Sequence, residues 1–256
     1  GQGPVLFHAD MERDEAARTG LATRNMAEFG LAEIYQAARG DLLEYQILRY
    51  QRMLADQGLT NGRVALYGRM EAGQALAVFG ELQRRMQGLQ FVPEAGSTSL
   101  MQAMATKDEA EVNRMRRMGQ ATTLVVGKTA EFLTSQATCD GVLVLRDGQP
   151  VTIGMVKRKI NLWLAEAGVE NPEGVIFASG YDAAVPHSSG TASQPLRLGE
   201  TIIFDIFPCE AGGGYFYDFT RTWCLGYAPE AAWTLYEDVR RVYQTILSEL
   251  RAGMPT

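Results

Sequence analysis

The sequence predicts an α+β protein in two domains, an α/β layer over residues 1–105 and a second, site-bearing domain over residues 106–256. Three observations carry that expectation. Strand-like and helix-like segments alternate as far as Pro93. A long helical stretch runs from about Lys107 to Ser135. Beyond it, two apolar strands flank a glycine-rich turn, and each holds one aspartate in its middle, Asp205 and Asp218.

In chain order, Val5-Leu-Phe-His reads as a short buried strand, and Asp10 is placed to cap a helix beginning near Glu12. From Asp41 to about Gln57 apolar residues recur at helical spacing, and Gly58 stops the helix. Asn61-Gly62 is a turn before a strand over residues 64–67. Residues 71–87 form another helix, and Leu89-Gln-Phe-Val92 the next strand, ending at Pro93. This alternation suggests a partly parallel sheet. Gly96-Ser-Thr-Ser is small and polar. The long helix then opens on Asp108 and Glu109, where the helix dipole favours acids, with Gly127 as a mild interruption. Gly141 to Gly148 reads as a strand and turn or as an excursion of a longer loop. Thr152–Gly168 reads as a helix, Val175–Ser179 as a strand, and Pro229 opens a last helix reaching about Arg251.

At 256 residues, nearly half of them hydrophobic, the chain has material for one large core or two ordinary ones. A net charge of −6 without a basic block argues against nucleic acid as partner. Arg84-Arg85 and the arginines from Arg114 to Arg117 fall on helices and read as solvated faces. Cys139, Cys209 and Cys224 have no metal-site spacing, and an odd, low count fits a reducing, cytoplasmic compartment. The apolar runs are too short for a membrane span, which needs roughly 18 residues or more. Only His8 and His187 offer imidazole, so an ordinary metalloenzyme site has little imidazole to draw on here.

The chemistry concentrates in the two Asp-bearing strands. If Cys209 pairs with Gly214 across Glu210–Gly213, Asp205 falls directly opposite Asp218. Opposed residues of an antiparallel pair have Cβ atoms about 4.5–5.5 Å apart. Ile203, Asp205 and Phe207 then share one face and Ile202, Phe204 and Ile206 the other, so the strand is expected to be covered on both sides. Two carboxylates held so close repel each other and lose water. One takes up a proton, or a cation sits between them, or backbone amides and Arg221 compensate them. Carboxylate donors suit Mn²⁺, Co²⁺, Fe²⁺ or Zn²⁺ in a mixed oxygen and nitrogen site.

Two further residues are candidates. His187 lies on a loop one strand before the acids, either as plain surface or as a group for substrate contact or proton transfer. Thr220 shares the face of Asp218, so its hydroxyl either orients a ligand carboxylate or reflects only strand propensity. His8 reads as a satisfied strand histidine. Gly212-Gly-Gly is a turn device, because no helix follows it to make a phosphate cradle.

These residues resemble the pita-bread metallopeptidases, which include Xaa-Pro aminopeptidases, Xaa-Pro dipeptidases (prolidases) and methionine aminopeptidases. The likeness runs through Ala178-Ser-Gly, Pro186-His187, Leu198-Gly-Glu-Thr-Ile-Ile-Phe-Asp-Ile-Phe-Pro, Tyr217-Asp-Phe-Thr-Arg-Thr-Trp and Gly226. Asp-Ile-Phe-Pro is most similar to the bacterial and archaeal Xaa-Pro peptidases. Thr106-Lys-Asp-Glu-Ala-Glu-Val-Asn-Arg-Met-Arg resembles the first helix of that fold, and the region before it a creatinase-type amino-terminal domain. The resemblance implies a fold made of a partial creatinase-like α/β domain followed by the first half of a pita-bread domain. It implies two divalent metal ions (Mn, Co, Zn or Fe), with Asp205 and Asp218 as two of five ligands and His187 as a catalytic contact to the substrate.

In the family, a histidine in a Gly-His-Gly run and two glutamates complete the site. All three lie after the last helix, so they are expected outside this chain, as are the first strands of the amino-terminal domain. The expected activity is hydrolysis of small peptides with proline after the first residue, by a homodimer. Two alternatives are a metal-free creatinase-like hydrolase and a non-catalytic module that binds peptides or proteins. Both branches tend to lose the acid pair that stands here.

Overall fold

A computed structural model describes residues 3–94 and 96–253. The chain divides into two compact units, Gly1–Thr106 and Lys107–Thr256. No helix among the described residues is long and apolar enough to cross a membrane.

The first unit contains β1 (Val5–His8), α1 (Arg13–Arg18), β2 (Ala22–Asn25), α2 (Leu31–Ala37), α3 (Leu42–Asp56), β3 (Gly62–Ala65), α4 (Ala72–Arg85), β4 (Leu89–Val92) and α5 (Ser99–Ala105). Its sheets are two separate parallel pairs, β1 with β2 and β3 with β4. Parallel neighbours need a crossover, and α1 and α4 supply it. Asp41 caps α3 by accepting from the Leu43 and Glu44 amides at 2.8 and 3.1 Å. Gly58 leaves the helix at φ +67°, a conformation glycine adopts freely. Ile47 of α3 and Val78 and Leu82 of α4 form the buried centre.

Two expectations in this unit are corrected, and three elements went unanticipated. Asp10 caps no helix; it lies in a 3₁₀ turn with no side-chain cap and accepts instead from Asn25. The strand expected at 64–67 is Gly62–Ala65, because its register is set by pairing with Leu89–Val92. Helices α2 and α5 and strand β2 were not legible, being only four to seven residues long.

The second unit opens with α6 (Glu109–Thr134). Asp108 and Glu111 form a reciprocal capping box at its start, which satisfies two otherwise orphaned amides. Met118, Thr122, Val125, Thr129 and Leu133 line its buried face at helical spacing, and α6 passes Gly127 unbroken. The ambiguous stretch after it is a hairpin, β5 (Ala137–Cys139) and β6 (Val142–Val144), turned by Asp140 and Gly141 at positive φ. Then follow α7 (Ile153–Glu166), β7 (Val169–Glu170), β8 (Val175–Ser179), β9 (Thr201–Ile206), β10 (Cys209–Glu210), β11 (Phe219–Cys224) and α8 (Glu230–Glu249).

Strand β9 is the middle of an antiparallel sheet ordered β11-β9-β8. Ile202, Phe204 and Ile206 are 0% exposed and pack with Val125 of α6 and Ile153, Val156 and Ile160 of α7. The Phe204 ring meets Phe177 of β8 and Trp223 of β11 edge-on, with centroids 5.3 and 5.2 Å away. The opposite face is a correction. Thr201, Ile203, Asp205 and Phe207 are only half-buried, and Thr220 and Thr222 beside them are exposed. The sheet is therefore covered on one side within this unit, and apolar content alone did not reveal that.

Phe204→Ala removes the ring that joins the three strands and leaves a cavity. It is expected to cost about 3–5 kcal/mol of stability. Denaturant melts of the two proteins check this.

Candidate metal centre

The acids are placed by the period of the strand and by the turn that joins the strands. β9 and β11 pair with Thr220 opposite Asp205 and Phe219 opposite Ile206. The expected register, with Asp218 directly opposite Asp205, is corrected by two residues. The reason lies in the turn. The loop is Ala211–Gly214, closed by the Glu210 amide donating to the Tyr215 carbonyl at 3.1 Å. This puts all three glycines inside the loop, at φ +80°, +86° and +155°. Side chains alternate along a strand, so a shift of two residues leaves each on its original face. Asp218 becomes the diagonal neighbour of Asp205, a spacing of about 7–8 Å that two carboxyl groups can span.

The two carboxyl groups are close enough to interact. The pKa of Asp218 is raised, first by burial, then by the charge of Asp205 and by a hydrogen bond shared with it; the Phe219 amide pulls weakly the other way. Asp205 is half-buried and Asp218 more exposed, so the pair lies at an accessible face rather than inside an apolar ribbon. The Thr220 hydroxyl donates to Asp205 Oδ1 at 2.7 Å, which leaves the other Asp205 oxygen free of this bond. Arg221 does not compensate the acids. It alternates to the opposite face, where its guanidinium carbon lies 4.0 Å above the Phe219 ring and one Nη donates to the Thr220 carbonyl.

His187 is not on the hairpin. It is exposed, on the loop after β8, at φ +61°. That loop is pinned from several sides. Lys157 of α7 donates to the Ser189 carbonyl. The Gly154 and Ile153 amides at the start of α7 donate to Ala192 and Gln194 at 2.9 and 3.0 Å. Asp182 accepts from both the amide and the hydroxyl of Thr191 at 3.0 Å. Burial lowers the pKa of Lys157. His8 is held by the adjacent Ala9 carbonyl, 2.8 Å from Nδ1.

A second set of residues, not apparent from the sequence, holds the hairpin tip. Arg114 grips Glu210 through Nε and Nη2 at 3.0 and 2.5 Å and lies 5.0 Å above the Tyr215 ring. Glu210 also accepts from the Tyr215 amide at 3.0 Å, and the Tyr215 hydroxyl donates to Glu111. The hydrogen bond from Arg114 holds the Glu210 carboxyl below its ordinary range. The only signal in the sequence was charge on both partners, which are far apart along the chain. A cavity of about 730 Å³ adjoins the open face of the sheet, lined by Ile203 and Thr222 together with Trp233, Tyr236 and Val239 of α8.

As donors, two adjacent carboxylates on an accessible face fit part of a site for a hard divalent cation. They do not make a whole one. Among the described residues no group of three or more His, Cys, Asp or Glu is gathered to hold a metal ion.

Residues 113–256 match the model of metallopeptidase family M24, and the chain belongs to that family. Solved structures with the same fold include an X-Pro aminopeptidase from Thermotoga maritima (TM-score 0.68, 18% identity, 98% of this chain and 60% of that one). A dipeptidase from Pyrococcus horikoshii is similar over 98% of this chain and 59% of its own, with a TM-score of 0.66 and 20% identity. Among curated relatives, a probable dipeptidase PepE of Mycobacterium tuberculosis is 25% identical over 182 residues, 66% of this chain and 43% of its own length. This chain thus spans less than two thirds of the relatives it matches. The α+β fold expected from the resemblance is the fold these structures share.

A folded-state pKa raised above the unfolded value stabilises the protein only while the group is protonated; that contribution is lost as pH rises through the folded pKa. Without metal, ionised Asp218 therefore works against folding at neutral pH. Asp218→Asn is expected to melt at a higher temperature than the parent at pH 7 in the presence of a chelator. The advantage should vanish as the pH falls through the carboxylate range. Thermal melts across that range decide it, and an unchanged or lower neutral-pH midpoint counts against the repulsion.

Proposed function

We propose that this chain carries the two-aspartate part of a dinuclear metal centre in a peptidase that hydrolyses the bond between an amino-terminal residue and proline. The observation that carries the reading is that the Asp205 and Asp218 carboxyls interact on an accessible sheet face, with Arg221 turned away to the other. The printed names of the relatives, X-Pro aminopeptidase and dipeptidase, support the substrate class. So does the family, which is one of metallopeptidases.

In this reading Asp205 and Asp218 hold two divalent ions, Mn, Co, Zn or Fe, together with a histidine and two glutamates from other sequence. When bound, such ions polarise the scissile carbonyl and lower the pKa of a bound water. Thr220 fixes the direction of the Asp205 carboxylate by occupying Oδ1, as hydrogen-bonded partners of metal ligands do. His187, exposed on a loop that Lys157 and Asp182 tie down, donates a hydrogen bond to the bound peptide. The apolar cleft beside Ile203 and Thr222 gives a side chain of the peptide a surface to rest on. We place the enzyme in the cytoplasm as a homodimer. The retained acid pair speaks against a metal-free hydrolase or a purely binding module.

The test is metal-dependent hydrolysis of Xaa-Pro dipeptides and longer Xaa-Pro peptides by the full-length protein. The Asp205→Asn, Asp218→Asn double variant is expected to lose both activity and metal; retention of either rejects the assignment. Thr220→Val keeps the shape but not the hydroxyl. It is expected to weaken metal binding by about 10–100-fold, as read by titration calorimetry.

A further inference from the structure

Gly119 stands in the middle of α6, buried, in a run of helix that gives glycine no reason to be there. Its φ is not in the positive range, so the backbone does not require it. Glycine is also the weakest helix former after proline. What requires it is space. A Cβ at this position would lie 2.8 Å from Cε2 and 3.0 Å from Cζ of Tyr217. The missing side chain makes a notch in the helix, and the Tyr217 ring fills it.

Tyr217 immediately precedes Asp218. Its amide donates to the Pro208 carbonyl at 3.1 Å, so ring and backbone are both held. Tyr215 and Tyr217 point to the α6 side, and alternation sends Asp218 and Thr220 to the other, where Asp205 lies. A second tie to the same helix is the Arg114–Glu210 pair. It admits no side chain at Gly214, whose Cβ would lie 2.2 Å from Glu210 Oε2. Residues 210–217 are thus fastened to α6 at both ends, although β11 itself begins only at Phe219. Pairing between the strands also continues past β11 to the turn, through the Cys209–Phe216 bridge and the Glu210–Tyr215 bond, so the ties to α6 add a second hold on the segment that carries Asp218.

We propose that Gly119 is a positioning residue for Asp218: its notch seats Tyr217 and, with the Arg114–Glu210 clamp, sets where the next carboxylate points. The proposal rests on the metal-centre reading above for its consequence, but not for its structural part.

The test is Gly119→Ala in the full-length protein, with two readouts. Alanine favours the helix, so a merely structural role predicts an α6 as well protected from hydrogen exchange as before, or better, and an unchanged hairpin. Positioning predicts that the Tyr217 amide loses its protection while α6 and β9 keep theirs. It also predicts that Co²⁺ or Mn²⁺ binds about tenfold or more weakly, as for other residues that orient metal ligands.

Arg114→Lys, which keeps the charge at a surface position but loses the two-pronged grip, should act in the same direction through the Tyr215 amide. Unchanged protection at both amides overturns the inference, as does lost protection with parental metal affinity. If the parent takes up no metal through its two aspartates, the functional reading fails instead. The exchange result still decides whether Gly119 orders the Asp218 segment.

Discussion

The strict alternation of β9 between a sealed face and an accessible one governs the rest of the second unit. Ile202, Phe204 and Ile206 are completely buried against α6 and α7. Their burial removes any freedom to slip by one residue, since a one-residue slip would drive Ile203, Asp205 and Phe207 into the core. An aspartate there would be unpaired in an apolar medium, at a cost of several kcal/mol. The hydrophobic core therefore does what no polar contact does: it commits Asp205 to the face where Thr220 and Asp218 also stand.

That commitment creates an electrostatic tension which the unit leaves in place. Asp205 and Asp218 meet without an arginine between them, and Arg221 is turned away onto the Phe219 ring. Elsewhere the chain pairs its charges closely, as in Arg114 with Glu210 and Arg85 with Glu44 and Glu81. The contrast makes the acid pair a feature to be explained by a ligand. The Arg114–Glu210 pair fastens the hairpin tip near the acids to α6, and the β9–β11 ladder fixes the spacing of the two strands.

Much of the fold was legible because the signals were local. Strands Val5–His8, Leu89–Val92 and Val175–Ser179 stand where the apolar runs put them. Helices α3, α4, α6, α7 and α8 end within a few residues of their caps and breakers. The short elements escaped because a four-residue strand or a seven-residue helix has too few residues to show a period. The hairpin register was misjudged by two residues for a similar reason. Two placements of a four-residue loop fit the same glycine-rich run, and the Glu210 contacts that select one involve Arg114, distant in the chain. The face of each acid survived the error because two residues is one full period.

Residue order by itself singled out the two aspartates and the face of the strand they share, since composition, alternation and turn glycines act over a few neighbours. Only the tertiary structure decided that this face is accessible and that the acids are diagonal rather than opposed. It also decided that Arg221 is not their partner and that α6 holds the hairpin tip through Arg114 and Gly119. Those outcomes depend on which distant segments pack together, and no local pattern of side chains encodes that.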